Sequence, residues 1–153
     1  MTKERFTELV LSSERTLYRV SMSMLKNETE CEDAVQTAIL TAYEKLSTLK
    51  QEEFFKTWLV RILINVCHHQ LRFRSRHTEL SEDIPNEENH VSFEVREALN
   101  KLPDKFRQVV VLFYIEEFSV KEIKAILHIP EGTIKSRLSK ARDLLKKQLS
   151  VSD

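Results

Sequence analysis

The stretch FSVKEIKAILHIPEGTIKSRLSKARDLL, residues 118–145, decides the fold of the C-terminal part of the chain. Ser119 and Glu122 have the spacing of a capping box, which predicts that a helix begins at this serine. Pro130 cannot continue that helix but suits the first turn of a new one. We expect Gly132, the only glycine of the chain, to let the two helix backbones approach closely. The stretch therefore predicts two helices joined by a tight turn.

The second of these helices has one polar, basic side. At about 100° per residue, four apolar side chains share the opposite side: Ile134, Leu138, Ala141 and Leu145. The polar side and its flanks carry Thr133, Lys135, Ser136, Arg137, Ser139, Lys140, Arg142 and Asp143. Such a helix suits a DNA major groove, because its central residues reach base edges and its flanking cations reach phosphates. The alternative is an ordinary amphipathic hairpin with a solvated basic face.

Composition predicts an all-helical protein. The 153 residues include one glycine and three prolines, which leaves little material for β-turns.

The net charge is zero, but the charged residues are segregated along the sequence. Residues 48–77 carry six Lys/Arg against two Asp/Glu, residues 78–94 carry six Asp/Glu and no Lys/Arg, and residues 119–149 carry eight Lys/Arg against three Asp/Glu. Two basic blocks separated by an acidic one indicate two nucleic-acid surfaces and a spacer that repels the same polyanion.

Hydrophobic periodicity predicts further helices along the rest of the chain. They span residues 3–25, about 29–46, about 54–73, 93–101 and 103–116. Thr29 and Glu32 have the spacing of another capping box. On the helix that they begin, Leu40 lies beside Asp33 and Gln36, off the apolar stripe. This group is a candidate docking patch, although single surface leucines are common.

The helix predicted at about 54–73 has an apolar side and a cationic side. The apolar side is formed by Phe55, Trp58, Leu59, Ile62 and Val66. A second face, within about 60°, carries Arg61, Asn65, His68 and Arg72. With Phe54 and Trp58 at its upstream end, this face fits a track for single-stranded nucleic acid, where cations hold phosphates and aromatic rings stack on bases. The alternative places these rings in the hydrophobic core.

Residues 77–92 lack periodicity and are acidic and polar, which predicts a flexible linker between two domains. No apolar run approaches the ~18 residues that a membrane span needs, and the N-terminus has no apolar signal region. We therefore expect a cytoplasmic protein without membrane insertion of its own.

A structural zinc site or a thiol sensor is the alternative to nucleic-acid binding that the Cys and His residues raise. Cys67, His68 and His69 are adjacent, with Cys31, His77 and His90 elsewhere. Adjacent helical residues point about 100° apart and rarely share one ion. We therefore expect no metal and no cofactor, and the chain has no nucleophile–base motif that would indicate an enzyme.

Five segments, in this order and spacing, resemble one bacterial family. They are EDAVQTAILTAYEKL (32–46), FKTWLVRILIN (55–65), LRFRSR (71–76), ALNKLPDKFRQVVVLFYIEEFSVKEIKAIL (98–127) and PEGTIKSRLSKAR (130–142). Together they resemble sigma factors of the extracytoplasmic-function (ECF) group, the minimal members of the sigma-70 family. The resemblance covers about residues 8–148. It implies an all-α fold of two small helical domains, region 2 at 3–76 and region 4 at 93–149.

The resemblance also implies a function and the residues that perform it. Region 2 would bind the β′ clamp helices of core RNA polymerase and open the −10 promoter element, while region 4 would read the −35 element and touch the β flap. The implied polymerase-binding residues are Asp33, Gln36, Thr37 and Leu40. The implied −10 contacts are Thr48, Lys50, Phe54, Trp58, Arg61, Asn65, His68 and Arg72. The implied −35 contacts are Thr133, Lys135, Ser136, Arg137, Ser139, Lys140 and Arg142. The further implied partner is an anti-sigma factor, which the family can anchor in the membrane.

Three residues depart from the family pattern. His128 stands at a turn position where many relatives have glycine, and a histidine adopts a left-handed turn at some cost. His69 replaces a common aspartate, and Ile64 stands where a small or basic residue is common.

The alternative to a sigma factor is a regulator whose helix-turn-helix binds duplex DNA without joining polymerase.

Overall fold

The computed structural model describes residues 1–75 and 92–150, and these residues form seven α-helices and no β-strand. The helices are α1 (Lys3–Leu25), α2 (Glu28–Glu44), α3 (Phe55–Ser75), α4 (Phe93–Lys101), α5 (Asp104–Val110), α6 (Val120–Leu127) and α7 (Glu131–Ser150). Two 3₁₀ turns, Leu46–Thr48 and Glu52–Phe54, join α2 to α3, and a π-helical turn, Val111–Ile115, extends α5. The all-α prediction is confirmed. The linker predicted at 77–92 lies, apart from Ser92, outside the described residues.

The helix starts were predicted with mixed success. The capping box at α6 is confirmed: the Glu122 N–H donates to the Ser119 hydroxyl at 3.0 Å, and the Ser119 N–H donates to the Glu122 carboxylate at 2.8 Å. The capping box predicted at Thr29 is wrong. The helix α2 begins earlier, because the Asn27 side chain accepts the Glu30 N–H at 2.9 Å and caps it. Lys26, in a left-handed conformation, has just ended α1.

The expected role of Gly132 is also wrong. A Cβ atom at this position would meet no atom within 4 Å, and its φ is not positive. The helices α6 and α7 therefore pack through side chains, with Ile123, Ile126, Ile134 and Leu138 all buried. Nothing in the structure explains why glycine occupies this place.

The two halves of the chain share one hydrophobic core. The helices α1, α2 and α3 pack against one another, and α5 and α6 pack against α7. In addition, α6 lies on α3 and α5 lies on α1. Buried residues of α1 (Val20), α3 (Leu63) and α6 (Ile126) accordingly belong to one continuous apolar cluster.

The packing of α6 on α3 changes the buried side predicted for α3. Phe55 and Leu59 are buried as predicted, but Trp58, Ile62 and Val66 are only half-buried. The other fully buried residues of α3 are Val60, Leu63, Ile64 and Cys67. The reason is that α1 and α2 cover one side of α3 while α6 covers the adjacent side. Ile64, which departs from the family pattern, is 1% exposed.

Candidate nucleic-acid interface

The helix α7 presents the polar face that its periodicity predicts. Its apolar side is anchored by Ile134, Leu138 and Ala141, which are 0–3% exposed. The opposite side exposes Lys135, Ser136, Ser139 and Lys140, while Thr133 and Arg137 are half-buried on its flanks. A continuous row of cations and hydroxyls is therefore open to a ligand along α7.

One contact fixes the edge of this face, and a second lies within α7 itself. The Arg142 guanidinium donates to the Tyr114 hydroxyl at 3.0 Å, which holds this cation on the α5 side of the helix. The Ser136 hydroxyl donates to the Thr133 carbonyl at 3.1 Å, within its own helix. The Tyr114 contact joins residues 28 positions apart, so no local sequence pattern indicates it.

The turn before α7 is tight because His128 adopts the left-handed conformation, with φ 57° and ψ 44°. Its N–H donates to the Lys124 carbonyl at 2.9 Å and closes the end of α6. The Pro130 carbonyl then accepts the Ile134 N–H at 3.1 Å and starts α7. The histidine thus closes this turn in the left-handed conformation, which residues other than glycine adopt at some cost.

The cationic face of α3 is exposed as a unit. Arg61, Asn65, His68 and Arg72 all lie on the surface. Within about 60° of one another on one helix, they form a strip of about 17 Å, at 1.5 Å rise per residue over 11 residues. This strip lies beside the side of α3 that α6 covers.

Aromatic rings mark the upstream end of this strip. Phe54, in the second 3₁₀ turn, is 53% exposed. Trp58 is half-buried, and its ring centroid lies 5.7 Å from that of buried Phe55. In the loop before them, Thr48 and Lys50 are exposed. Trp58 therefore caps the core and still shows part of its ring to solvent.

His68 has two environments. It is exposed on the cationic face, yet its side chain also lines a cavity of about 210 Å³ between α3 and α5, together with Asp104 and Arg107. Partial burial lowers the pKa of His68; the positive charge of Arg72 acts in the same direction, and Asp104 opposes it. The ring is thus biased toward its neutral form, which both donates and accepts hydrogen bonds.

The docking patch on α2 is also exposed. Asp33, Gln36, Thr37 and Leu40 follow the spacing i, i+3, i+4, i+7, which places them on one helix face. All four lie on the surface, and Leu40 is 65% exposed. A large apolar side chain among short polar ones suits contact with another protein.

Neither cysteine is available for chemistry. Cys31 and Cys67 are fully buried, and the Cys31 thiol lies 3.0 Å from the Met22 sulfur. Burial raises the pKa of Cys31 to about 11 and that of Cys67 to about 12. Within residues 1–75 and 92–150, no group of three or more His, Cys, Asp or Glu side chains could hold a metal ion. His77 and His90 lie outside that part of the chain.

Among the described residues, no helix is both long enough and apolar enough to cross a bilayer.

Comparisons with known proteins agree with this architecture. Residues 9–77 match the family Sigma-70 region 2, and residues 92–145 match the family Sigma-70, region 4. The ECF RNA polymerase sigma factor SigW of Bacillus subtilis is 31% identical, over 96% of this chain and 90% of that protein. The ECF RNA polymerase sigma factor SigM of Mycobacterium tuberculosis is 30% identical, over 94% of this chain and 76% of that protein.

A solved structure extends the similarity to the arrangement of the whole chain. The sigma factor RpoE in complex with the anti-sigma factor NepR, from Bartonella quintana, is 27% identical with a TM-score of 0.86. The match covers 98% of this chain and 99% of that chain, so it includes both halves together. The chain belongs to the ECF group of the sigma-70 family of RNA polymerase sigma factors, which are transcription initiation factors and not enzymes.

Proposed function

We propose that this sigma factor recognises a promoter through two separate DNA surfaces. The observation that carries the proposal is that α7 and α3 each expose a polar, cationic face while the apolar side of each helix is held in the core. One face suits duplex DNA and the other suits separated strands.

The helix α7 reads the −35 element from the major groove. Lys135, Ser136, Ser139 and Lys140 face the base edges, where short hydroxyls and cations donate to purine acceptors. Thr133, Arg137 and Arg142 lie at the flanks and contact phosphates. The Tyr114 hydroxyl supports this role by fixing the position of Arg142. Phosphate contacts set the register, and base contacts give the sequence preference.

The helix α3 and the loop before it open the −10 element and hold one strand. Arg61, Asn65, His68 and Arg72 follow the backbone and bases, with Thr48 and Lys50 in the loop. The exposed ring of Phe54 and the exposed part of Trp58 are positioned to stack on bases. Stacking contributes about 1–3 kcal/mol per base, which offsets the few kcal/mol that base unstacking costs.

One face of α2 binds the β′ clamp helices of core polymerase, through Asp33, Gln36, Thr37 and Leu40. The C-terminal domain touches the β flap. The domains are region 2 at 3–76 and region 4 at 93–149, joined by the linker 77–92.

The protein acts in the cytoplasm and is controlled by an anti-sigma factor. Support for this last partner is the similarity to RpoE, whose structure contains NepR.

Two variants test the separation of these surfaces. Asp33→Ala combined with Gln36→Ala should weaken binding to core polymerase and leave binding to a −35 duplex unchanged. Lys140→Ala should do the reverse, with a loss of about 1–3 kcal/mol in duplex affinity if it reads a base. All three positions are exposed, so neither variant should disturb folding. If Lys140→Ala weakens both interactions together, the assignment of the recognition face is wrong.

A further inference from the structure

Tyr114 lies on the protein surface beside α7, although it belongs to the π-helical turn Val111–Ile115 that extends α5. Leu112 before it and Glu116 after it are buried, whereas Tyr114 is 48% exposed. Its ring meets half-buried Phe113 edge to face, with the ring centroids 4.9 Å apart. π-Helical turns are found frequently at functional sites. The turn therefore presents an aromatic hydroxyl at one fixed place next to α7.

The Tyr114 hydroxyl and the Arg142 guanidinium both keep hydrogen-bond donors for a ligand. The hydroxyl accepts one Arg142 N–H at 3.0 Å through a lone pair of its oxygen, so its own proton remains to be donated. Arg142 uses one of its N–H groups in this contact. Within residues 1–75 and 92–150, no carboxylate pairs with Arg142. Both side chains are exposed, so these donors are open to an acceptor from outside the protein.

A phosphate group is the acceptor that this pair fits. Guanidinium groups bind phosphate oxygens through short, charge-assisted hydrogen bonds that are frequently paired. A hydroxyl that accepts a hydrogen bond from a cation is polarised and donates its own proton more strongly. Because the guanidinium and the hydroxyl are in direct contact, both can reach oxygens of one phosphate group.

The pair lies at the place on α7 where a DNA backbone would pass. Arg142 follows Lys135 by seven residues and Ser139 by three, which puts all three side chains within about 60° on one edge of the helix. Arg142 is also about 10 Å further along the helix axis than Lys135, at 1.5 Å per residue. The N-terminal part of a recognition helix enters the groove, so its later residues lie beside the phosphates.

We propose that Tyr114 and Arg142 together form a phosphate clamp, which binds one backbone phosphate of the −35 duplex. This inference rests on the proposed −35 role of α7 and adds to it a DNA ligand from outside the helix-turn-helix. The hydroxyl accepts the Arg142 N–H and donates its proton to one phosphate oxygen, while the guanidinium donates to another. A phosphate contact adds affinity and sets the register without preferring a base.

A scan of single phosphates tests the clamp. The probe is a duplex that the holoenzyme selects from a random-sequence pool, prepared as a set in which one linkage at a time is a neutral methylphosphonate. The parent holoenzyme should lose affinity about tenfold or more at the clamped linkage, where charge-assisted hydrogen bonds are removed. On the unmodified duplex, Tyr114→Phe should bind about fivefold more weakly and Arg142→Ala about tenfold more weakly. At the clamped linkage, Tyr114→Phe should respond less than the parent and Arg142→Ala should not respond.

Tyr43→Phe is the matched control, because Tyr43 lies on α2 and is also 48% exposed. It should keep the parent's response at every linkage. Tyr114→Phe should keep the parent's urea midpoint, since it removes only a surface hydroxyl, and a lower midpoint would mark a structural role instead of a clamp.

Two outcomes of the phosphate scan would overturn the clamp. One is a Tyr114→Phe profile identical to that of the parent, and the other is a weaker response at a linkage different from the one that Arg142→Ala marks. A parent holoenzyme that selects no sequence from the pool would instead refute the proposed function.

Discussion

Arg107 holds together three segments of the structure. Its side chain is 4% exposed and its guanidinium donates to the Ser23 carbonyl at 2.9 Å, to the Leu102 carbonyl at 2.9 Å and to the Asn100 carbonyl at 3.4 Å. It also pairs with the Asp104 carboxylate, which is largely exposed. Replacing Arg107 with methionine keeps much of the side-chain volume and removes every donor.

The magnitude follows from the groups left behind. An unsatisfied buried carbonyl costs about 1–3 kcal/mol. Arg107→Met removes the donor from two carbonyls, those of Ser23 and Leu102, each of which accepts a hydrogen bond at 2.9 Å. We therefore expect the free energy of unfolding to fall by about 3 kcal/mol or more. The Asp104 pair adds little, because its carboxylate is exposed. With a urea slope of about 1–3 kcal/mol per molar, a loss of about 3 kcal/mol should lower the midpoint of unfolding by about 1–3 M.

Urea unfolding followed by circular dichroism is the assay, and Arg61→Met is the matched control. Arg61 is exposed on α3, so its substitution should change stability by no more than about 0.5 kcal/mol. Equal midpoints for the two variants would show that water or neighbouring groups replace the Arg107 donors and that this side chain does not hold the three segments together.

Three further predictions concern stability and reactivity. Gly132→Ala should raise the free energy of unfolding by about 0.5 kcal/mol, because an alanine methyl group meets no atom and lowers the entropy of the unfolded chain; a lower urea midpoint would contradict this. Cys31 and Cys67 should resist alkylation at pH 8 in the native protein and react on unfolding, as counted by intact mass, since burial raises the pKa of both thiols; fast native labelling would show that the core opens. The pKa of His68 is lower in the folded chain than in the unfolded chain. As the pH falls below about 6.5, the unfolded chain therefore takes up a proton at His68 before the folded chain does, and the free energy of unfolding decreases. His68→Gln should make this decrease smaller, and an unchanged dependence of stability on pH would exclude a contribution from His68.

Much of the fold was predictable from local patterns. The capping box at Ser119 depends on two residues three positions apart, so short sequence spacing reveals it. The turn at His128 was expected from the family resemblance, and the histidine adopts the left-handed conformation there. The exposed face of α7 follows from helical periodicity alone, because Ile134 and Leu138 fix which side is buried.

The rest depends on contacts between distant parts of the chain. Val60 and Ile64 fall outside the apolar side predicted for α3, because α6, which lies far along the sequence, packs on this helix as well. The Arg19 guanidinium donates two hydrogen bonds to the Glu116 carboxylate, 97 positions away, and periodicity gives no sign of this pair. The predicted start of α2 was wrong for a local reason. Asparagine and threonine are both residue types that cap helices, so Asn27 and Thr29 were both candidates, and only the end of α1 at Lys26 decides between them.

Promoter recognition by this sigma factor is measured by in vitro transcription with core RNA polymerase and a pool of promoter fragments. We expect initiation from a subset of fragments that share one −35 and one −10 motif. We expect loss of that initiation with Lys140→Ala or with the Asp33→Ala, Gln36→Ala double variant. Transcription that is absent, or that starts equally on every fragment, would contradict a promoter-reading sigma factor.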